Sequence, residues 1–234
     1  MILELSGVNT YYGTSHILFD VSLTIAEGEA VCLLGRNGAG KSTTLKSIMG
    51  LTPPSSGRIF FKGENINSRS VYAIARRGIG YVPDDRRIFP NLTVRQNMEI
   101  ATKNFKNKGN GWTVEKVYNL FPDLEKLDGS KGSNLSGGEQ QMVAIGRSLM
   151  GNPDFLLLDE PAEGLSPLVV KTMMEQIQKL KEEGLTILLS EQNVAFAMEL
   201  SEMAYVIDKG RIRYQGSIDE LKENEEVRKQ YLLI

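Results

Sequence analysis

Three short runs of the chain are apolar on both faces: EAVCLLG at 29–35, DFLLLDE at 154–160 and LTILLSE at 185–191. A strand with one wet face alternates polar and apolar positions. These runs do not, so they predict central strands of a parallel sheet covered on both sides. Pro167 to Glu183 has another period, with Val169, Val170, Met173, Met174, Ile177 and Leu180 on one helical face and largely polar residues elsewhere. Strands alternating with such helices predict a mostly parallel sheet. SGRIFFKGENI at 56–66 and AYVIDKGRIRYQG at 204–216 read as hairpins turning at Lys-Gly, which adds an antiparallel β part. Residues from about 85 to 149 carry no buried-strand run and read as helical, with a polar loop at NFKNKGNGWT, 104–113. The expected organisation is one α/β domain: a core over 1–84 and 150–234, and an inserted helical subdomain over 85–149.

Bulk properties narrow the function classes. A length of 234 residues suffices for one large domain with its own core. The 27 basic and 29 acidic residues nearly cancel, so no electrostatic footprint for nucleic acid stands out. No apolar run approaches the ~20 residues of a membrane-spanning helix. MILELSGV, with Glu4, lacks the basic-then-apolar design of a signal peptide. Cys32 is the single cysteine, so no internal disulfide forms, which fits a reducing cytoplasm. His16, the single histidine, has no partner motif and reads as structural.

Chemistry concentrates in two motifs. LLGRNGAGKSTTL at 33–45 has the spacing G-x-x-x-x-G-K-S through Gly35, Gly40, Lys41 and Ser42. Its glycines let backbone N–H groups curl around phosphates, and a helix starting near Lys41 points its positive end at them. Lys41 neutralises β/γ charge, and the Ser42 hydroxyl is placed to ligate Mg²⁺. FLLLDE then brings Asp159 and Glu160 to the carboxyl edge of the sheet, where α/β folds bind ligands. As adjacent residues ending the strand, they are expected to point to opposite faces and take different roles. Asp159 is the expected Mg²⁺ partner and Glu160 the general base toward water. A pair of acids capping a strand is the plainer alternative.

NLSGGEQQMVAIG at 134–146 raises a separate question, because it looks like a second phosphate grip far from the first. Ser136 with Glu139 three residues on is a capping box, so a helix begins there. Gly137 and Gly138 leave its first N–H groups bare, a seat for an anion. On these grounds alone an ordinary helix start remains equally open.

Together GRNGAGKS, LSGGEQQ and LLLDEP resemble, in order, the motifs of the ATP-binding-cassette ATPases, the motor subunits of ABC transporters. The resemblance runs over essentially the whole chain and is most specific in LSGGEQQ. It implies a RecA-like P-loop NTPase core, an antiparallel β subdomain and an inserted helical subdomain. It also implies ATP and Mg²⁺ as cofactors and head-to-tail pairing, with each signature (Ser136, Gly137, Gly138, Glu139) closing over the ATP held by the other cassette. The implied nucleotide contacts are Gly35, Asn37, Gly38, Ala39, Gly40, Lys41, Ser42 and Thr43, with Tyr12 as the adenine-stacking aromatic. Tyr12 is preferred to Tyr11, against a plain strand-edge tyrosine as alternative.

The chain departs from the commonest pattern at three places. Asp84 replaces glutamine after GIGYVP, Ser166 replaces aspartate in EPAEGLSP, and Gln192 replaces histidine in LLSEQN. Gln192 can donate to a γ-phosphate but does not titrate near neutrality. Asp84 can hold water or Mg²⁺ while adding negative charge beside phosphates. The same departures, with RR-F in DRRIFPNLTVRQNM, resemble the shorter ATPase subunit of branched-chain amino-acid importers; relatives of this pattern also serve urea and short amides. The implied partners are transmembrane permease subunits, a second cassette and, indirectly, an external substrate-binding protein, with no nucleic acid. The implied location is peripheral, on the cytoplasmic face of the membrane. The docking region implied for the permease is Asp84 to Asn97, including Arg86, Arg87 and Phe89; a solvated pair is the plainer reading of the two arginines. A P-loop kinase is the rival from another class, but it has no use for LSGGEQQ. A chromosome-maintenance or DNA-repair cassette would need a long coiled coil between Lys41 and Ser136, and no sustained heptads lie there.

Overall fold

The computed structural model describes residues 1–102 and 111–232, so residues 104–110 of the expected polar loop lie outside the described residues. In chain order the strands are β1 (Leu3–Tyr12), β2 (Ser15–Ile25), β3 (Ala30–Leu34), β4 (Ser56–Phe61), β5 (Glu64–Asn65), β6 (Ile79–Val82), β7 (Phe155–Asp159), β8 (Thr186–Glu191), β9 (Met203–Asp208) and β10 (Arg211–Ser217). The helices include α1 (Lys41–Ile48), α2 (Val71–Arg76), α3 (Val94–Glu99), α4 (Val114–Leu120), α5 (Pro122–Lys126), α6 (Gly137–Leu149), α7 (Pro167–Glu182) and α8 (Val194–Leu200).

The apolar runs at β3, β7 and β8 form the middle of one sheet, ordered β10-β9-β3-β8-β7-β6. Its pairs are parallel from β9 to β6, and only the β9–β10 hairpin is antiparallel. Alternation sorts their side chains between two cores. Cys32, Leu34, Leu156, Leu158, Ile187 and Leu189 face the helical side. Val31, Leu33, Phe155, Leu157 and Leu188 face a second, antiparallel sheet ordered β2-β1-β4-β5. Both faces are dry, which is why these strands show no polar alternation.

α3 to α6 follow β6 and precede β7, and Val94, Met98, Val117, Leu124, Val143 and Ile145 share one core with Leu156 and Leu158. α7 buries Met173, Ile177 and Leu180, as its period predicts, and also Gln176. β1 and β2 were not legible as a pair. Each contains a register shift, and Gly7 (φ 61°) and Asp20 (φ 56°) sit in left-handed bulge conformations that break the two-residue alternation. The turns at Lys62-Gly63 and Lys209-Gly210 are the two hairpins read from the sequence.

Candidate functional site

β3 ends at Leu34, and the chain then wraps through Gly35 to Gly40 into α1. Gly40 caps that helix at φ 114°, a conformation that L side chains rarely adopt, and a Cβ there would meet Leu18 Cδ2 at 2.9 Å. The N–H groups of Lys41, Ser42 and Thr43 have no acceptor among the described residues, as expected of a first helical turn open to an anion. Lys41 is 3% exposed; its Nζ lies 2.9 Å from Glu160 Oε1 and donates to the carbonyls of Gly35 (2.8 Å) and Arg36 (3.1 Å). The loop's cation and the candidate base thus neutralise each other.

Asp159 closes β7 and is fully buried. Its Oδ1 accepts from Ser42 (3.0 Å) and Ser190 (2.6 Å), and its Oδ2 accepts from the Tyr81 hydroxyl at 3.2 Å. Burial raises its pKa against these three hydrogen bonds, and the Asp84 charge raises it further. Glu160 corrects one sequence expectation. It does not continue the strand with its side chain on the opposite face. The strand stops at Asp159, and Glu160 takes a left-handed φ of 47°, its N–H donating to Ser190 O at 3.0 Å. Both acids therefore serve the same loop, Asp159 at Ser42 and Glu160 at Lys41. Strain of this kind costs on the order of 1–3 kcal/mol and persists only where neighbours hold it.

The end of β8 supplies those neighbours. Glu191 was not singled out from the sequence, yet it is 2% exposed and carries three backbone hydrogen bonds on its carboxylate. Ala162 N–H donates to Oε1 at 3.2 Å; Gln192 and Asn193 N–H donate to Oε2 at 3.2 and 3.1 Å. Burial nevertheless pushes its pKa up to about 7, with the Glu160 charge adding to the rise. The signal available in the sequence was an acid at the end of an otherwise apolar run. Gln192 follows directly, in the turn before α8.

A cavity of about 250 Å³ lies over the phosphate loop, lined by Tyr12, Ile17, Gly38, Gly40, Lys41, Ser42, Thr43 and Glu160. Tyr12 is on its wall and 47% exposed, whereas Tyr11 stacks on His16 with ring centroids 4.1 Å apart. Gly35 is buried at the loop's base, Asn37 is exposed on its outer edge, and Ala39 is buried. Asp84 is exposed; its Oδ1 accepts the Asp85 N–H at 2.9 Å.

The signature residues do not line this cavity. Ser136 caps α6 through the expected box: Glu139 N–H donates to Ser136 Oγ (3.4 Å) and Ser136 N–H donates to Glu139 Oε2 (2.7 Å). The N–H groups of Gly137 and Gly138 have no acceptor among the described residues. Gly138 is buried against α7, where a Cβ would meet Val169 Cγ1 at 2.7 Å. Arg86 is not the solvated side chain of the plainer reading. It is half-buried at φ 61°, donates from Nε to Gln141 Oε1 (3.2 Å) and from Nη2 to Glu163 O (3.3 Å), and lies over Gly137. Arg87 is exposed and pairs with Asp85 at 2.7 Å. It also lines a cleft of about 400 Å³ with Met49, Leu51, Val71, Tyr81 and Arg147. Ser166 caps α7 without a side-chain hydrogen bond.

A Mg²⁺ site fits the donor set. Ser42 and Asp159 offer a hydroxyl and a carboxylate oxygen side by side. Mg²⁺ takes one or two carboxylates together with substrate phosphates rather than a protein cage. No cluster of three or more metal-ligating side chains occurs among the described residues. None of the described helices is long and apolar enough to cross a membrane.

Comparison with known proteins places this geometry. The family model described as ABC transporter matches residues 18–163. A high-affinity branched-chain amino acid transport ATP-binding protein, BraG of Pseudomonas aeruginosa, is 42% identical over 99% of both chains. A probable branched-chain amino acid transport ATP-binding protein, LivF of Archaeoglobus fulgidus, is 39% identical over 97% of both. The lipopolysaccharide export ATP-binding protein LptB of Escherichia coli is 36% identical over 94% of this chain and 92% of its own. Among solved structures, a dimeric ATP-binding cassette in a post-hydrolysis state with ADP and Pi superposes with a TM-score of 0.81 at 28% identity, covering 93% of this chain and 99% of that one.

Proposed function

The chain belongs to the ABC transporter family of ATP-hydrolysing cassettes, and from that premise we propose that it is the motor subunit of an importer for branched-chain amino acids. The similarity to BraG and LivF over nearly the full length supports the solute class. The observation that carries the catalytic reading is the cross-pairing in one small region of Lys41 with Glu160 and of Ser42 with Asp159. Lys41 turns from Glu160 to the β/γ charge of ATP when phosphates enter the loop. Glu160 is then free to take a proton from the attacking water, while the open N–H groups at the start of α1 hold the phosphates. Ser42 and Asp159, with Asp84 nearby, would hold Mg²⁺, which when bound would supply neutralisation of phosphate charge. Tyr12 stacks on the adenine, and Gln192 donates its amide to the γ-phosphate.

The second cassette supplies the signature. Ser136, Gly137, Gly138 and Glu139 sit outside the phosphate-loop cavity of their own chain, which supports a head-to-tail pair with two shared sites. The permease subunits dock in the cleft bearing Arg87, on the cytoplasmic face of the membrane. The similarity to LptB favours a second reading, the same motor serving an exporter. Reconstitution with the membrane subunits decides between them: leucine-stimulated ATP turnover supports the first. No response to leucine, with stimulation by urea, a short amide or a lipopolysaccharide instead, rejects it. Transfer of the γ-phosphate to a small acceptor would instead point to a kinase.

A further inference from the structure

We propose that Glu191 is a positioning residue for ATP hydrolysis, fixing the loop behind Glu160 and the turn bearing Gln192 in one relation to the phosphate loop; this rests on the ATPase reading of the site. The last two residues of β8 each address a different part of the site. Ser190 donates to Asp159 Oδ1 at 2.6 Å, and its carbonyl accepts the Glu160 N–H at 3.0 Å. The Glu191 carbonyl accepts the Gly35 N–H at 3.3 Å, tying down the start of the phosphate loop. The Glu191 carboxylate reaches Ala162 N–H on one oxygen and Gln192 and Asn193 N–H on the other. Gln192 follows in the turn after β8.

Packing alone does not explain an acid here. A carboxylate that is 2% exposed and has no ion pair among the described residues is costly to bury, and an apolar or amide side chain would fill the space more cheaply. What the carboxylate supplies is several acceptor sites on two oxygens, enough to hold amides from two separate loops at once. Both loops need holding. Glu160 sits at a left-handed φ of 47°, and Ala162, two residues on, is where its loop turns back toward α7. Removing the carboxylate leaves three N–H groups without acceptors and lets the two loops move independently.

The test compares the full chain with Glu191→Ala, Glu191→Gln and Glu160→Gln. In nucleotide-free protein, hydrogen exchange at the amides of Ala162, Gln192 and Asn193 is expected to quicken roughly tenfold in Glu191→Ala. A small misplacement at a reacting centre can cost on the order of 100-fold, so kcat should fall about 10- to 100-fold with KM for ATP within about threefold. Glu191→Gln has the same shape and one accepting oxygen, and should recover part of both effects. If Glu191→Ala fails to fold, the Gln variant decides, with faster exchange at Ala162 or at Gln192 and Asn193 and a lower kcat at unchanged KM. Unchanged exchange, kcat within about twofold of the parent, or equal losses in kcat and nucleotide affinity would overturn the proposal. Glu160→Gln separates the two readings: if it keeps turnover, the base assignment fails while the exchange result still reports on Glu191.

Discussion

α1 and α6 both begin at a glycine-rich turn with bare N–H groups, but their surroundings differ. Around α1 the chain supplies a full complement of partners: Lys41 faces Glu160, Ser42 faces Asp159, and Ser190 and Tyr81 brace the aspartate. Around α6 the side-chain bonds serve the helix itself, through the Ser136–Glu139 box, and Arg86 adds a cation beside Gly137. Anion seats are helix N-termini in both cases. One is surrounded by the acids and hydroxyls of the proposed catalytic site; around the other, the cap and a guanidinium are the polar groups nearest the seat among the described residues. A seat with no chemistry of its own makes sense as half of a site completed elsewhere.

The largest effect should come from Lys41→Ala. It removes the loop's cation and leaves Glu160 buried without its partner, so nucleotide affinity is expected to fall about 100-fold or more and turnover to vanish. Equilibrium binding of a fluorescent ATP analogue reads this directly. Next comes Glu160→Gln, expected to lower turnover about 10²- to 10⁴-fold while ATP stays bound. Loss of binding in that variant would move Glu160 from base to ligand.

Gly138→Ala sharpens the other side of the comparison. The new methyl group meets Val169 at 2.7 Å, so the start of α6 must shift against α7. If this seat serves another chain's nucleotide, as proposed, turnover should fall about tenfold with ATP affinity of the isolated chain unchanged. Equal losses in both would place the signature at its own phosphate loop.

The smallest effect is a pH dependence. Burial raises Glu191 from an ordinary 4.5 to about 7, so the folded chain holds a proton that the unfolded chain releases across this window. The sign is therefore a loss of stability as pH rises from about 4.5 to 7. Melting temperature should drop by a few degrees over it, roughly 2–4 °C per kcal/mol for a chain of this size. Glu191→Gln should flatten the slope, and an unaltered slope would mean that other groups set it.

The legible parts of the molecule were those whose side chains leave a local mark. Gly40, Lys41 and Ser42 keep a fixed spacing, Ser136 and Glu139 form a box within one turn, and β3, β7 and β8 are apolar throughout. What escaped depends on distant partners or broken periods. β1 and β2 hide behind bulges at Gly7 and Asp20. Arg86 has no local pattern that announces its bonds to Gln141 and Glu163, each more than fifty residues away. Glu191 looks like the polar end of a strand until Ala162 is folded against it. The left-handed turn at Glu160 is a non-glycine conformation that no residue type signals.

On the proposed reading, one ATP is held by the phosphate loop of one chain and the signature of another. Complementation tests it most directly. Lys41→Ala keeps an intact signature, and Ser136→Arg keeps an intact phosphate loop; each should be inactive alone. In a head-to-tail pair of the two, one site regains both intact parts, so mixing them is predicted to restore ATP turnover that neither variant has by itself. A mixture no more active than the sum of its components would contradict the account.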